Sequence, residues 1–304
     1  MSVEIRRAAT NRDRQASLDV FNAVFPHRRV GLDDVLDYED ALEHSVLLLA
    51  EANGRVVGSA QGGLEAGARH PAVSIYVLPE HRLRGIGTAL YRALSAWARS
   101  LPTEALYSDV EESDPESLEW ALRRGFVERS RDARLVLHLA DVEPPPVVLP
   151  DGVEIVTWAD RPELIESMYE CYREAAPDIP GEEDEPLADY EEWRRQHMGG
   201  SGDRPEATFV AVADGVAVGF SKFSLTDAQP DVAFHDLTAV KRAWRGRGIA
   251  GALKATQIRW AKEHGYARLS TMNEERNEPI RRLNERFGYR PEPGRVFIVG
   301  PLAP

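Results

Sequence analysis

The chain has 304 residues, of which 43% are hydrophobic and 29% are charged, which is typical of a globular protein large enough to form two domains. Its formal net charge of −13 at pH 7 argues against a nucleic-acid partner, and no apolar run is long enough for a membrane span. The single cysteine, Cys171, excludes an intrachain disulfide framework, and the scattered histidines predict no metal site. Because no apolar leader follows Met1, we expect a cytoplasmic protein.

The first half of the sequence predicts a series of strands and helices. A short alternating strand at the start is followed by apolar residues at helical spacing. Asn53-Gly54 then separates two apolar runs, and this dipeptide is the strongest short signal for a β-hairpin. In chain order, the predicted elements are strand 3–6, helices 13–25 and 32–44, strands 46–51, 56–62 and 73–78, helix 89–100, strand 105–110, helix 116–124 and strand 134–139.

A proline-rich segment separates this series from a second one. Glu143-Pro144-Pro145-Pro146 interrupts the pattern, because proline cannot donate a backbone hydrogen bond, and Val153-Glu154-Ile155 then restates Val3-Glu4-Ile5. The repeat predicts two domains, 1–142 and 153–304, joined by a linker at 143–152. After its first strand and helices, the second series continues with strands 207–213, 216–225 and 232–240, helix 250–264, strand 268–272, helix 277–287 and strand 296–299.

The run from Trp244 to Gly251 connects the predicted strand 232–240 to the helix 250–264. Glycines at such a turn allow positive φ angles and the close approach of a ligand. The first turn of the helix adds unpaired N–H groups and the positive end of the helix dipole. The run therefore predicts a phosphate-binding loop, and it fits two patterns, G-x-G-x-x-G of dinucleotide-binding domains and Arg-x-x-Gly-x-Gly/Ala.

A second copy of the run decides between the two patterns. Residues 82–88 repeat Arg-x-x-Gly-x-Gly but lack G-x-G-x-x-G, because Leu83 and Leu90 occupy the positions of its outer glycines. A dinucleotide-binding domain would also have an acidic residue at the end of the next strand, where this sequence has Ser270-Thr271. The Arg-x-x-Gly-x-Gly/Ala pattern therefore describes both loops.

These two loops, the strand before each of them, and a helix that ends in Gly-Phe or Gly-Tyr together resemble the GNAT superfamily of N-acetyltransferases. The resemblance covers nearly the whole chain as a tandem pair. It implies two tandem domains of the α/β class, each of α+β type with a mixed sheet. It also implies that acetyl-CoA is the acyl donor and that a backbone N–H of the strand before the loop polarises the thioester carbonyl. The residues that the resemblance assigns to coenzyme A are Leu237, Thr238, Ala239, Val240, Arg245, Gly246, Arg247, Gly248, Ile249, Ala250, Gly251 and Asn277 in the second half, and Val77, Arg82, Arg84, Gly85, Gly87 and Thr88 in the first.

We call the strand that ends in residues 237–240 the coenzyme strand. Titratable groups precede these four residues, whereas the first half has none at the equivalent positions. His235 and Asp236 precede Leu237, whereas the first half has Ala72 and Val73 at the equivalent positions. Asp236, directly or through a water, is the favoured general base, and His235 is its rival because its ordinary pKa suits the role. Strand alternation sends the two side chains to opposite faces, so we expect only one of them to reach the site.

The general acid that the resemblance implies is missing from both halves. In the family it is a tyrosine on the helix that ends in Gly-Phe or Gly-Tyr, but this sequence has Asn284 there, and Ala121 in the first half. Asn284 would hydrogen-bond the coenzyme sulfur while water protonates it. The first half also has Asp114 in place of Asn277, and a carboxylate there would repel a phosphate. We therefore expect a degenerate first domain and a catalytic second domain.

The leading functional prediction is an N-acetyltransferase that transfers an acetyl group from acetyl-CoA to a primary amine of a small molecule. The interval between first strand and hairpin is longer in the second half, and its acidic segment 181–185 favours a cationic amine, unless it is only a solvated loop. The alternative is a non-catalytic acyl-CoA-binding or regulatory module, which the two missing tyrosines favour. A pseudo-symmetric pair is compatible with either a monomer or a homodimer.

Overall fold

A computed structural model describes residues 3–65, 67–178, 187–274 and 276–304. The chain divides into two compact units, each described here by itself: the first unit is Met1–Ser130 with Arg295–Pro304, and the second unit is Arg131–Gly294. The acidic segment 181–185 lies outside the described residues. Within the described ranges, no helix has the length and apolar character that crossing a membrane requires.

The first half of the chain has the predicted order of elements. They are β1 (Val3–Arg7), α1 (Asn11–Val24), α2 (Leu32–Asp40), β2 (His44–Ala52), β3 (Arg55–Leu64), β4 (Ala72–Val77), α3 (Ile86–Ala98), β5 (Ala105–Glu111), α4 (Pro115–Leu122) and β6 (Val127–His138).

The second half repeats that order. Its elements are β7 (Val153–Thr157), α5 (Ile165–Ala175), α6 (Tyr190–Met198), β8 (Asp203–Ala213), β9 (Val216–Ser224), β10 (Val232–Val240), α7 (Ile249–Glu263), β11 (Arg268–Glu274), α8 (Glu278–Arg286) and β12 (Arg290–Pro301).

The two predicted hairpins are confirmed, and both use the same turn. Asn53 and Gly54 have φ angles of 52° and 73°, and Asp214 and Gly215 have φ angles of 50° and 79°. Two consecutive positive φ angles define the type I′ turn, whose twist matches that of the strands it joins, and Asn or Asp followed by Gly adopts it most readily. The hairpins are β2–β3 and β8–β9.

The helix bounds differ from the predicted ones for local reasons. Helix α2 ends at Asp40 rather than at residue 44, because His44 already belongs to β2. Helix α3 begins at Ile86 rather than at residue 89, because Gly85 serves as its N-cap in the left-handed region, with φ 82°. Helix α1 is fixed by a capping box, in which the Thr10 hydroxyl accepts a hydrogen bond from the Asp13 backbone N–H, and the Asp13 carboxylate accepts one from Thr10 N–H.

Each unit contains a mixed sheet in which one parallel pair interrupts antiparallel pairs. In the first unit β1, β2, β3 and β4 follow one another antiparallel, β4 and β5 are parallel, and residues 295–301 of β12 close the sheet antiparallel to β5. In the second unit β7, β8, β9 and β10 are antiparallel, β10 and β11 are parallel, and residues 132–138 of β6 close the sheet antiparallel to β11.

The closing strands are therefore exchanged between the two halves of the sequence. Strand β6 was predicted to close the first domain and residues 296–299 the second. Instead, β6 pairs with β11 from the second half of the sequence, and β12 pairs with β5 from the first half. The extents 1–142 and 153–304 thus differ from the compact units, and the predicted linker 143–152 lies inside the second unit. Core packing agrees with the exchange, because Ile298 packs in one cluster with Leu90 and Leu94, and Leu137 packs in another with Leu253.

Helices cover both faces of the sheet in the second unit. Helix α7 packs its Leu253 and Ile258 into one cluster, and α5 and α6 bring Met168, Cys171 and Trp193 into a separate one. Burial raises the pKa of the Cys171 thiol to about 12, so this cysteine is a neutral core residue. The parallel pair β10–β11 is thereby held between two helical layers, and the candidate site lies at the end of this pair.

Candidate functional site

In the second unit the parallel strands β10 and β11 separate at Asp236. Their register ends with His235 opposite Thr271. On its other side β10 stays paired with β9 as far as Val240, with a bulge at Asp236. Residues 237–240 therefore present one backbone edge to β9 and the other edge to the gap between the parallel strands, where an extended ligand would find unpaired backbone groups.

The loop after β10 leads into the N-terminus of α7. Gly246 and Gly248 have φ angles of 74° and 90°, a left-handed conformation that glycine adopts without strain. The first hydrogen bond of the helix runs from the N–H of Ala252 to the carbonyl of Gly248 at 2.9 Å, so the N–H groups of 249–251 precede it. A Cβ atom added to either glycine would meet open space. The loop thus offers several backbone donors to an anion.

Arg245 is fixed between the coenzyme strand and a carboxylate. Its Nε donates to the Val240 carbonyl at 3.0 Å, and its Nη1 lies 2.7 Å from Oδ2 of Asp178. Asp178 also pairs with Arg242 at 2.8 Å, and the hydrogen bonds from Arg242 and Arg245 lower the pKa of this carboxyl to about 2. Sequence analysis missed Asp178, because it follows α5, far from the loop in the chain.

Two other residues of the expected coenzyme set lie in the loop and at the start of α8. The guanidinium of Arg247 lies over the ring of Trp244, 4.9 Å from its centroid. Asn277 is the N-cap of α8, and its side chain forms no capping hydrogen bond. Both therefore keep polar groups that are not engaged in local secondary structure.

A buried lysine connects Asp236 to the interior of the second unit. Nζ of Lys222 lies 2.9 Å from Oδ2 of Asp236, and it also pairs with the Asp203 carboxylate and donates to the His197 carbonyl. Burial alone would lower the pKa of Lys222, but the two carboxylates outweigh it and the net pKa is raised. Because the side chain of Lys222 is 3% exposed and that of Asp236 is 37% exposed, the pair joins a buried cation to a carboxylate that reaches solvent.

Sequence analysis did not identify Lys222 or Asp203 as part of the site. A signal was available in the repeat, because Lys222 is opposite Leu237 in the β9–β10 register and Gln61 is opposite Ser74 in the equivalent register of the first unit. A lysine thus accompanies the aspartate in the second half, while a neutral residue accompanies valine in the first.

His235 points away from Asp236, into the core. It is 4% exposed, its Nε2 shares a hydrogen bond with the hydroxyl of Tyr289, and its ring lies 4.8 Å from that of Phe223. Burial lowers the pKa of His235 well below its ordinary value, so the ring is neutral. The expectation that His235 competes with Asp236 as the base is therefore not supported, and strand alternation is the reason.

Asn284 is fully buried on α8. Its Nδ2 donates to Oδ1 of Asn273 on β11 at 2.8 Å. Its Oδ1 has no hydrogen-bond partner among the described residues. One acceptor atom thus remains unsatisfied at the position where a tyrosine was expected.

The first unit repeats the divergence of the parallel strands and contains a cavity of about 360 Å³ there. Strand β4 pairs with β5 at Ala72, opposite Tyr107. The cavity is lined by Gly85 and Gly87 of the loop and by Glu111, whose carboxylate is 2.7 Å from the guanidinium of Arg28. We call five of its apolar and aromatic lining residues the floor: Tyr91, Trp120, Ala121, Phe126 and Ile298.

The loop of the first unit has the same left-handed pattern as the loop of the second. Leu83 adopts a φ angle of 59° and Gly85 one of 82°. A leucine with positive φ is strained, and such strain is found where the surrounding structure imposes it. Asp114 pairs with Arg82 at 3.2 Å and caps α4 by accepting from the N–H of Ser117 at 3.0 Å. Asp114 thus has a structural role besides the repulsion expected of it.

The remaining candidates of the first half surround this loop. The carbonyl of Val77 accepts a hydrogen bond from Nε of Arg82 at 3.3 Å, and Thr88 accepts one from Arg124 at 2.9 Å. Arg84 is exposed. The arginine-to-carbonyl contact matches that of Arg245, so both loops are held in the same way.

Comparison with known proteins identifies the fold and the family. The model of the Acetyltransferase (GNAT) family matches residues 14–126 and 163–289. A mycothiol acetyltransferase of Parafrankia sp. (strain EAN1pec) is 26% identical over 275 residues, which cover 80% of this chain and 79% of that protein.

Two solved structures share the fold over nearly their full length. A tandem GNAT protein from the clavulanic acid biosynthesis pathway matches with a TM-score of 0.78 and 22% identity, covering 100% of this chain and 99% of the other. A GCN5-related N-acetyltransferase from Sphaerobacter thermophilus matches with a TM-score of 0.75 and 22% identity, covering 99% and 96%. The chain belongs to the GNAT family of acetyltransferases and carries two GNAT domains in tandem.

Proposed function

We propose that the second unit transfers an acetyl group from acetyl-CoA to a primary amine of a small, cationic molecule by direct attack. The observation that carries the proposal is the Asp236–Lys222 pair, which lies where β10 and β11 separate. The first unit has valine and glutamine at these two positions. The chemical asymmetry between the units therefore coincides with the point at which a GNAT fold would bring its two substrates together.

The loop residues fit an acyl-CoA. The N–H groups of 249–251, the left-handed Gly246 and Gly248, and the guanidinium of Arg245 suit a pyrophosphate. Residues 237–240 would hold the extended arm through the backbone edge that faces the gap. Bound acetyl-CoA would supply an activated acyl carbon, and a backbone N–H of this edge would polarise its carbonyl.

Asp236 is the group that would receive the proton that the attacking amine nitrogen loses when it bonds to the acyl carbon. The carboxylate lies 2.9 Å from Nζ of Lys222, and its partial exposure leaves it accessible to an acceptor. A carboxylate at this point also attracts a cationic amine and aligns its nitrogen with the acyl carbon. The net charge of −13 favours the same class of acceptor. We propose a small molecule as the partner, and a monomer or homodimer as the assembly.

Substitution of Asp236 tests this proposal. We expect Asp236→Asn to lower turnover at least ~100-fold, which is the usual contribution of a positioned base, with the Kd for acetyl-CoA within about twofold of the wild type. Turnover is measured as release of the coenzyme thiol with a panel of diamines and polyamines. Asp231→Asn is the matched control, because Asp231 forms an exposed pair with Arg268 at 3.0 Å. Unchanged turnover in Asp236→Asn would refute the proposal.

A second candidate function is acyl-CoA binding without transfer, and the cavity of the first unit favours it. That unit combines the loop conformation with a preformed space of about 360 Å³ but has Val73 in place of Asp236. Ligand binding is expected to appear as thermal stabilisation, about 2.7 kcal/mol at 100 times the Kd. NAD should give no such shift, and stabilisation by NAD alone would favour the dinucleotide alternative.

A further inference from the structure

The second unit has a lysine where the cavity floor of the first unit has a tyrosine. Gly125-Phe126 and Gly288-Tyr289 align the two halves, and the same spacing aligns Gly85 with Gly248. Tyr91, Ala121 and Phe126 of the floor then correspond to three polar residues of the second unit, which are Lys254, Asn284 and Tyr289.

Lys254 is buried without an anionic partner. Lys254 is 2% exposed, and its Nζ lies 4.9 Å from the centroid of the Tyr289 ring. Among the described residues, no carboxylate pairs with this ammonium. Burial lowers the pKa of Lys254 to about 7. A buried cation without a counter-ion is costly, so its presence calls for a function.

Other buried polar atoms around this lysine also lack partners. Oδ1 of Asn284 has no hydrogen-bond partner among the described residues, and Nδ1 of His235 and the amide of Gln257 have none beyond the contact between these two side chains. In the first unit the positions of His235 and Gln257 are occupied by Ala72 and Leu94, which leave no polar group to satisfy. The polar set is therefore specific to the unit that carries Asp236.

We infer that Lys254 is a catalytic residue that donates a proton to the sulfur of the departing coenzyme A. The inference rests on the proposed function. It assigns to Lys254 the role that the family gives to a tyrosine at the position of Asn284. The equivalent of Lys254 in the first unit, Tyr91, lines the cavity between the parallel strands, which is the space that the coenzyme arm would occupy.

Two proton transfers accompany the proposed acyl transfer. The amine nitrogen forms a bond to the acyl carbon, and the bond between that carbon and sulfur breaks with its electron pair on sulfur. The sulfur takes a proton from Nζ of Lys254, which becomes a neutral amine. Asp236 receives the proton that the attacking nitrogen loses, and solvent restores both residues after the products leave.

The electrostatic surroundings suit a lysine in this role. A free thiol has a pKa of about 8.5, so transfer from a group that titrates near 7 is favourable. The titratable groups that face Lys254 are His235 and Tyr289, and burial moves both pKa values toward the neutral forms, well below and well above their ordinary values. The charged groups on the neighbouring strands β8 and β9 act elsewhere: Asp203 and Lys222 beside α6, and Arg204 and Glu206 near Tyr266.

The test measures the ionisation of the coenzyme A thiol when the coenzyme is bound. Coenzyme A is titrated from pH 5 to 10 in complex with the wild type, Lys254→Met and Gln257→Leu, and the thiolate is followed by its ultraviolet absorbance. We expect the wild type to lower the apparent pKa of the bound thiol by about one unit, because the ammonium stabilises the thiolate, while the thiol stays the weaker acid of the pair. In Lys254→Met that shift should be lost. Gln257→Leu is the matched control, because Leu94 occupies its position in the first unit, and it should keep the shift.

The outcomes separate this inference from the proposed function. If coenzyme A does not bind to the wild type, the proposed function fails. If it binds to all three proteins and Lys254→Met keeps the shift, the role of Lys254 is refuted while the proposed function stands. A preference for thioesters with a carboxylated acyl group that Lys254→Met abolishes, with the thiol pKa unchanged, would assign the ammonium to the acyl group and also refute it. Lys254→Gln repeats the measurement if the methionine variant does not fold.

Discussion

Asp178 pairs with Arg245 in the loop before α7, so it would compete with a bound pyrophosphate for the same guanidinium. An exposed pair of this kind contributes at most about 1 kcal/mol. We therefore expect Asp178→Ala to tighten acetyl-CoA binding about two- to fivefold at low ionic strength, with the gain lost at high salt. Calorimetric titration at two salt concentrations measures the effect. Asp231→Ala removes another exposed carboxylate, away from the loop, and an identical gain there would show that only net charge matters.

Lys254 makes the stability of the protein depend on pH. Its pKa of about 7 in the folded protein lies below the ordinary 10.5, so between these values the unfolded chain binds more protons than the native state. Stability contributed by this group is therefore present above pH 10.5 and lost as the pH falls toward 7, where the cost reaches about 4 kcal/mol.

Lys254→Met should consequently unfold at a higher denaturant concentration than the wild type at pH 7. The difference in unfolding free energy between the two proteins should shrink as the pH rises from 7 to 10, because the wild type then needs less energy to keep the lysine neutral. Gln257→Leu, on the same helix, should show a difference that does not vary with pH. A constant difference for Lys254→Met as well would mean that folding does not lower the pKa of this lysine.

Sequence singled out Asp236 as a candidate but not the residues that surround it. Comparison of Asp236 with Val73 singled it out, because the repeat supplied an internal reference. Asp178, Asp203 and Lys222 come from other elements and meet the site only through the sheet register and the fold. The buried position of His235 followed from strand alternation, but which face was the core could not be read from one strand.

At the scale of elements, local signals predicted the order and the turns correctly. The dipeptides Asn53-Gly54 and Asp214-Gly215 determine both hairpins because few residues adopt two consecutive positive φ angles. The partners of the closing strands were predicted wrongly, because β6 and β12 are both apolar strands that follow similar helices. Which sheet accepts each strand is decided by tertiary packing, as with Ile298 against the core of the first unit.

Engineered disulfides test the exchange of closing strands. Val299 is opposite Tyr107 in the register of β12 with β5, so Tyr107→Cys with Val299→Cys should form a disulfide on oxidation. If β12 instead closed the half from which it comes, Val299 would lie beside β11, and Ser270→Cys with Val299→Cys would cross-link. We expect only the first pair to do so, as judged by peptide mass spectrometry. Cross-linking of the second pair alone would contradict the strand assignment.

At the scale of the whole molecule, two copies of one fold carry different side chains at equivalent positions. The first unit keeps the loop and a cavity, whereas the second has the Asp236–Lys222 pair where its parallel strands separate and a buried Lys254 beside Tyr289. Sequence predicted the tandem arrangement from the repeat, because the motif spacing is the same in both halves. The cavity could not be predicted, since its volume depends on side chains from α1, α3, α4 and β12.

The central claim is that the second unit holds the coenzyme used in catalysis, and calorimetric titration of acetyl-CoA into matched loop variants tests it directly. Gly85→Glu and Gly248→Glu place the same negative side chain at equivalent left-handed glycines, with φ angles of 82° and 90°, where an added Cβ meets open space. We predict that Gly85→Glu still binds one equivalent and that the double variant binds none. If Gly248→Glu binds acetyl-CoA and Gly85→Glu does not, the coenzyme site belongs to the first unit and the account is contradicted.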